Sequence, residues 1–271
     1  LIGRCANRIG QARFTLDGQS YALSRNHGAH QLHGGELGFH TRLWQAEVDS
    51  PENAVTLRLT SPDGDQGYPG QLEASVRFTL IAGNHPAQAD LRLDYHATCT
   101  APTVVNLTSH PYFTLLADSG PPCPDCLTHE ICIHADHYTP VDAELLPTGD
   151  IAPVTGTALD LREYVALGSG IEATGGFDHN YVLRQNDALA LPNDGLASQN
   201  DGLVFQDDGL GLQDEGLALA ATVREPESGR SLAVFTTQPG LQFYTGNFLT
   251  PEILGKSNRP FCRHAGFCLE T

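Results

Sequence analysis

Hydrophobic and polar residues alternate along much of this chain with a period of two, which is typical of β-strands that bury one face. The pattern is clear at residues 14–16 and 21–23, on the two sides of an Asp17-Gly18 pair. Asp-Gly is favoured in two-residue turns, whose central residues need positive φ. The chain is therefore predicted to begin with a tight β-hairpin.

Three longer runs, at residues 55–59, 72–78 and 91–95, repeat the alternation. Gly, Pro and Asp separate the runs, as in SPDGDQGYPG at 61–70. No segment of comparable length has the 3.6-residue period of an amphipathic helix. With 28 Gly and 17 Pro in the chain, this pattern predicts a mainly β fold, an antiparallel β-sandwich with long functional loops.

Residues 193–219 differ from the rest, because they contain four approximate copies of a seven-residue unit, NDGLASQ, NDGLVFQ, DDGLGLQ and DEGLAL. A Gly in every copy costs roughly 1 kcal/mol per helical site, which disfavours a coiled coil. The segment is interpreted as a tandem insert that forms a flexible, solvated loop or an extended hairpin tip. Calcium binding is the alternative, although the spacing matches neither the EF-hand nor the nonapeptide calcium repeat.

Length and charge narrow the function classes. A chain of 271 residues is long enough for one large β domain, and a single domain over 1–271 is predicted. Its 15 basic and 32 acidic residues give a net charge of −17, which disfavours nucleic acid and membrane surfaces as partners. The same charge makes a highly phosphorylated substrate a poor fit. The sequence does not indicate an oligomeric state.

Seven scattered cysteines, an odd number, do not resemble the paired framework of a small secreted domain. A reducing cytoplasm is therefore the expected compartment. The chain begins at Leu1 and contains no Met, so the true N-terminus and any targeting signal are expected to lie upstream.

Polar motifs cluster in loops and at strand ends, where function is usually found. Each motif alone has an ordinary structural explanation: His110 as a core histidine, Asp178 as a turn former, Glu270 as a surface carboxylate. The motifs, in chain order, are GRCANR at 3–8, HQLHGG at 30–35, NLTSHPYF at 106–113, GFDHNYVL at 176–183, TTQPGLQFYTGNF at 236–248 and GFCLET at 266–271.

Taken together and in this order, the six motifs resemble the aldose 1-epimerase (galactose mutarotase) family over nearly the whole chain. SPDGDQGYPG, the segment at 134–162 and EPESGR at 225–230 also resemble it. The resemblance implies an antiparallel β-supersandwich with an open sugar cleft. It also implies strands beyond both ends of this chain, so a fragment of 271 residues is expected to be poorly soluble or weakly active.

The resemblance also implies residue roles. Glu270 is similar to the family's general base and His110 to its general acid. His33 resembles a second histidine near the ring oxygen, and Arg8 and Asp178 resemble residues that bind sugar hydroxyls. Gln242 is preferred over Gln238 as a further hydroxyl contact, since the Pro-Gly turn explains Gln238 structurally. These six candidates are Glu270, His110, Arg8, His33, Asp178 and Gln242.

The implied chemistry is the interconversion of α and β anomers of a free aldohexose such as galactose or glucose. Opening the ring requires removing the proton of the C1 hydroxyl and delivering one to the ring oxygen, which a carboxylate and a histidine can do. Neither a cofactor nor a metal is expected. No phosphate-binding or dinucleotide-binding glycine motif occurs in the sequence.

Other histidines and cysteines fit a site less well. Cys123, Cys126, His129 and Cys132 have part of a zinc-site spacing but lack a second matching pair. His30 and His33 form an HxxH without a carboxylate pattern to complete a metal triad. His179 and His264 are interpreted as structural or surface residues.

Two other functions stay open at the level of sequence. A hexose-6-phosphate 1-epimerase of related fold would need a basic phosphate pocket, which the acidic composition disfavours. A non-catalytic sugar-binding or sensing module would keep the cleft without the proton chemistry. A glycoside hydrolase is less suitable, since it would use paired carboxylates and not a Glu with a His.

Overall fold

The structure, a computed structural model, describes residues 1–83, 85–116, 125–184, 216–255 and 258–271. The chain divides into two compact units, Leu1–Ser109 and His110–Thr271, here called the first and the second unit. All pairs of named strands in the described ranges are antiparallel. The prediction of a mainly β, antiparallel fold is confirmed.

The first unit contains eight strands and three short 3-10 turns among its described residues. Four long strands form the sheet β5-β6-β7-β8, and β1-β4 and β2-β3 are two-stranded ladders. The strands are β1 (Arg8–Ile9), β2 (Arg13–Leu16), β3 (Gln19–Ala22), β4 (Gln31–Leu32), β5 (Gln45–Asp49), β6 (Ala54–Ser61), β7 (Leu72–Ala82) and β8 (Ala89–Cys99), and the 3-10 turns are Gly10–Ala12, Phe39–Thr41 and Asp65–Gly67.

The predicted strands and hairpin occur where the alternation placed them. β2 and β3 pair around Asp17 and Gly18, whose φ angles of 51° and 78° are the positive values that the turn requires. The three longer runs lie in β6, β7 and β8. Period-two patterning therefore located these strands correctly.

A buried arginine fixes the turn between β6 and β7. The Arg4 guanidinium donates hydrogen bonds to the backbone carbonyls of Ser61, Pro62, Pro69 and Gly70, and to the Ser61 hydroxyl. Five donors in a rigid fork suit this task, because one guanidinium can reach several oxygens of the same turn at once. The first arginine of GRCANR is thus structural.

The second unit consists of two sheets around one buried cluster. Their strand orders are β11-β10-β13-β16-β17 and β12-β9-β14-β15. The elements are β9 (Glu130–Ile133), β10 (Ala135–Thr139), β11 (Ala152–Pro153), β12 (Val165–Ala166), α1 (Leu167–Thr174), β13 (Asp178–Leu183), β14 (Ala218–Glu225), β15 (Arg230–Thr236), β16 (Gly240–Tyr244) and β17 (Cys268–Glu270).

The core of the second unit draws on both of these sheets. Ile131 and Val223 come from one sheet, and Tyr181, Phe243 and Leu269 from the other, and all five belong to one buried cluster. Two antiparallel sheets that share an apolar core form a β-sandwich. The sandwich architecture predicted from the sequence occurs in this unit.

The α1 helix was not predicted. Its sequence LGSGIEAT has glycines at 168 and 170, which disfavour helix in isolation. Leu167 and Ile171 are buried one turn apart, and the helix ends at Gly175 with positive φ. Burial of this apolar edge outweighs the weak intrinsic propensity.

Most of the predicted repetitive insert, residues 193–215, lies outside the described residues. Its last two residues, Ala218 and Leu219, begin β14, and Leu219 is buried. The repeat pattern therefore runs into a strand of the core.

Among the described residues, no helix is long and apolar enough to cross a membrane.

Candidate active site

One face of the sheet β13-β16-β17 carries the polar side chains of three of the sequence motifs. Residues directly opposite each other in antiparallel strands point to the same face, and the face changes at every residue. The pairing therefore builds two polar rows on one face, namely Asn180–Gln242–Glu270 and Asp178–Tyr244–Cys268. The intervening residues, among them Tyr181, Phe243 and Leu269, point into the core.

The start of β13 is held by the QFYTGNF motif. The Phe177 amide donates to the Thr245 hydroxyl at 2.9 Å, and the Asn247 amide donates to the Phe177 carbonyl at 2.8 Å. Gly176 has φ of 120°, and a Cβ there would lie 2.2 Å from Asn247 Oδ1. Only glycine fits this close approach, and the arrangement fixes where Asp178 begins the strand.

His110 and Glu270 lie side by side at this face. His110 Nε2 is 3.4 Å from Glu270 Oε1, and the two side chains are only 18% and 7% exposed. A carboxylate and an imidazole this close can act on two oxygens bonded to the same carbon. The structure thus brings together the two residues that the sequence proposed as base and acid.

Burial shifts the two groups in opposite senses. It raises the pKa of Glu270 to about 8, and the nearby charge of Asp178 raises it further. Burial also lowers the pKa of His110, against a smaller opposing effect of Asp178. Near neutral pH the pair therefore holds one proton, which resides on Glu270 in the free protein.

Asp178 and Gln242 are linked directly. The Gln242 side-chain amide donates to Asp178 Oδ1 at 2.7 Å. The bond holds the two candidate hydroxyl contacts at a fixed spacing beside Glu270, which is opposite Gln242 on the neighbouring strand. Gln238, by contrast, is exposed in a turn, where its backbone amide donates to the Thr236 hydroxyl.

We expect Gln242→Ala to raise KM for a sugar by roughly tenfold and to leave kcat within a few-fold, because it removes about 1.4 kcal/mol of binding. Gln238→Ala is the matched control, since it deletes the same group from an exposed turn. Michaelis–Menten kinetics of both variants check this. Equal KM values for the two variants would remove Gln242 from the site.

Arg8 and His33 lie in the first unit, where Arg8 of β1 is opposite Leu32 of β4 and His33 directly follows β4. Asn7 positions both residues. Its backbone amide donates to His33 Nδ1 at 3.2 Å, and its side-chain Oδ1 accepts from the Arg8 guanidinium at 3.2 Å. Arg8 Nε is buried and has no partner among the described residues. Asn7 is a positioning residue that the sequence analysis did not single out.

Three further residues beside the pair were missed. The rings of Tyr112 and Tyr244 lie 5.3 Å and 6.3 Å from that of His110, and the two tyrosines share a side-chain hydrogen bond. Cys268 lies on the same sheet face as Glu270, in the neighbouring polar row. Tyr112 and Cys268 stand within NLTSHPYF and GFCLET, so a period-two reading of those motifs could have found them.

Three other histidines that the sequence analysis considered have structural contacts. His264 Nδ1 is 2.6 Å from the Thr245 carbonyl, and His179 accepts the Asp178 amide on the core side. His30 accepts the Gln11 amide. These positions agree with the structural interpretation of His179 and His264.

The zinc spacing falls partly outside the described residues, since Cys123 does. His129 Nε2 accepts the Leu115 amide, and Cys126 and Cys132 are free thiols. Among the described residues these three do not form a metal-ligand group. The group that does form consists of His110, Cys268 and Glu270.

The chain is similar to curated proteins over its whole length. It is 42% identical to the galactose mutarotase of Rattus norvegicus over 273 residues, which cover 100% of this chain and 68% of the rat protein. It is 41% identical to the Homo sapiens galactose mutarotase with the same coverage. The aldose 1-epimerase of Escherichia coli K12 is 34% identical, over 100% of this chain and 69% of that protein.

Solved structures have the same fold. An aldose epimerase homologue from C. elegans superposes with a TM-score of 0.77 and 26% identity, over 99% of this chain and 71% of that one. The galactose 1-epimerase of Lactobacillus acidophilus gives 0.75 and 25%, over 99% and 69%. The sequence profile described as "Aldose 1-epimerase" matches residues 1–271, and the chain therefore belongs to the aldose 1-epimerase family.

Proposed function

We propose that this chain interconverts the α and β anomers of free aldohexoses such as galactose and glucose by general acid–base catalysis. The observation that carries the proposal is the 3.4 Å approach of His110 Nε2 to Glu270 Oε1 at the polar face of a buried sheet. Family membership supports the same reaction. A sugar is the small-molecule partner.

The reaction needs one proton on the pair, and it needs that proton on His110. Glu270 removes the proton of the C1 hydroxyl while His110 gives its proton to the ring oxygen, and the C1–O5 bond breaks. The aldehyde rotates about C1–C2, and closure from the other side returns both protons. Each positioned group supplies about 10² to 10⁴ in rate.

The resting proton lies on Glu270, so the reactive form is the tautomer in which it has crossed to His110. Both tautomers have the same proton count, and therefore their ratio does not depend on pH. The Asp178 charge favours the protonated form of both groups, so it helps to keep one proton on the pair.

Substrate binding is assigned to the four other candidates. Asp178 and Gln242 present a carboxylate and an amide on the sheet face of the second unit. Arg8 and His33 are proposed as sugar-binding residues of the first unit, held there by Asn7. We also propose that the chain acts as a single domain.

The rival functions have less support. The side chains described on the sheet face are carboxylates, amides, a phenol and a thiol, with no guanidinium or ammonium group for a sugar phosphate. A sensing module would not need an acid and a base at proton-transfer distance. Nucleic acid and membrane are disfavoured as partners by the net charge of −17.

We expect the protein to accelerate mutarotation of pure α-D-galactose with no added metal or cofactor, and to keep its activity in EDTA. Polarimetry measures the approach to anomeric equilibrium, and Glu270→Gln at equal concentration controls for the spontaneous reaction. Binding of galactose without acceleration would favour the sensing module. Activity confined to hexose 6-phosphates would favour the phosphate-specific epimerase.

The cytoplasm is proposed as the compartment. Cys5, Cys99, Cys126, Cys132 and Cys268 are free thiols, while Cys262 is disulfide-bonded. Free buried thiols suit a reducing compartment, and an oxidised Cys262 suits an oxidising one. Alkylation of the protein in its native cell fractions distinguishes a reducing compartment from an oxidising one.

A further inference from the structure

The His110–Glu270 pair has a third potential metal ligand beside it. His110 Nε2, Cys268 Sγ and a Glu270 oxygen all lie within 4.8 Å of one another. Cys268 and Glu270 are two residues apart in β17 and therefore point to the same face, and both are buried. A nitrogen, a sulfur and an oxygen donor thus converge from one strand and one adjoining segment.

The spacing fits zinc. Zinc–nitrogen and zinc–oxygen bonds of about 2.0 to 2.2 Å at a tetrahedral angle separate the two ligand atoms by about 3.4 Å. His110 Nε2 and Glu270 Oε1 are 3.4 Å apart. A zinc ion would need the Cys268 sulfur about 3.6 Å from the His110 nitrogen and from the Glu270 oxygen. All three ligand atoms already lie within 4.8 Å of one another, so the sulfur would have to move by about 1 Å at most.

The donor set also selects the type of metal. Magnesium and calcium prefer oxygen ligands alone, whereas imidazole and thiolate favour zinc and its chemical neighbours. Three protein ligands with a fourth position open is the pattern of an accessible zinc site. The three residues have that number and that mixture.

We propose that His110, Cys268 and Glu270 form an inhibitory zinc site, at which Zn²⁺ binding reversibly stops the acid–base reaction. The metal occupies the imidazole lone pair and the carboxylate oxygen that the sugar would use. The thiol proton and the proton shared by the pair go to solvent, and no oxidation state changes. Cys268, which has no part in the proton transfers, therefore gives the site its metal affinity.

Inhibition is the first test, and this arm rests on the proposed function. We expect Zn²⁺ to abolish mutarotation and EDTA to restore it. Cys268→Ala should raise the half-inhibitory Zn²⁺ concentration at least about tenfold, since even outer-shell changes at metal sites cost that much. Cys132→Ala, which removes another buried thiol, from β9, is the control and should stay as sensitive as the parent.

Binding of Co²⁺ is the second test and does not depend on turnover. The parent protein should show a thiolate-to-cobalt charge-transfer band that Cys268→Ser lacks and Cys132→Ser retains. Serine keeps the side-chain volume, so this comparison remains available if the alanine variant is unstable. A band that survives in Cys268→Ser, or inhibition equal in Cys268→Ala and the parent, would overturn the proposal.

If the band is present and depends on Cys268 while no mutarotase activity is found, the zinc site stands and the proposed function fails. If mutarotation is normal and neither Zn²⁺ nor Co²⁺ has a Cys268-dependent effect, the function stands and the site is refuted. The two arms therefore separate the two proposals.

Discussion

Glu270→Gln is expected to lower kcat for galactose mutarotation by roughly 10² or more while the sugar still binds. Glutamine has nearly the shape of glutamate but cannot take up the C1 hydroxyl proton. Since Asp178 and Gln242 are untouched, KM should change by only a few-fold. Polarimetric progress curves over a range of galactose concentrations give both constants.

Thermal unfolding is the folding control for this variant. Because the pKa of Glu270 is raised to about 8, the carboxylate favours folding least when it is ionised. The contribution of Glu270 to folding stability is fully present below the pKa of the group in the unfolded chain, near 4.5, and is lost as the pH rises through its folded-state pKa of about 8. Above pH 8, Glu270→Gln should therefore melt no lower than the parent. A near-normal kcat would refute the role of Glu270 as the base.

The pH profile of kcat/KM is expected to be bell-shaped, with limbs assigned by the shifted pKa values. The pair holds one proton between the pKa of His110, which lies below 6.5, and that of Glu270, at about 8. Below this window a second proton leaves no base, and above it the last proton is lost and no acid remains. Each limb should approach tenfold per pH unit.

His110→Asn provides the control for the assignment. It should lower kcat by about 10² to 10⁴, and the residual activity should show the single titration of Glu270 in place of a bell. Asn180→Ala, on the same sheet face, should keep both limbs. A profile that is flat between about pH 5 and pH 9 in the parent would remove His110 as the acid.

The strands of this fold were predictable because local alternation specifies them. β6, β7 and β8 follow the period of two, and Asp17-Gly18 supplies the turn chemistry of the first hairpin. The α1 helix was not predictable in the same way. Its glycines at 168 and 170 give the segment a low helix propensity, and the helix forms because Leu167 and Ile171 pack into the core.

The site was only partly predictable, because its geometry depends on contacts between distant segments. The motifs identified His110 and Glu270, but their separation depends on the antiparallel bridge between Phe113 and Phe267, which joins the segment of His110 to that of Glu270. Cys268 joins the site because it stands two residues before Glu270 in β17, on the same face of the strand. The opposite pKa shifts of Glu270 and His110 depend on burial by distant parts of the chain, which no single segment encodes.

The strict alternation in β13, β16 and β17 has a consequence for how this protein can change over generations. Neighbouring positions in one strand have separate roles, since Phe243 supports the core while Gln242 and Tyr244 lie on the face of the proposed sugar site. Mutation on the polar face can therefore change which groups meet a sugar hydroxyl while the side chains of the core face stay the same. Substitutions in the core beneath this sheet can likewise leave the polar face in place, so folding stability and substrate preference can evolve at different rates.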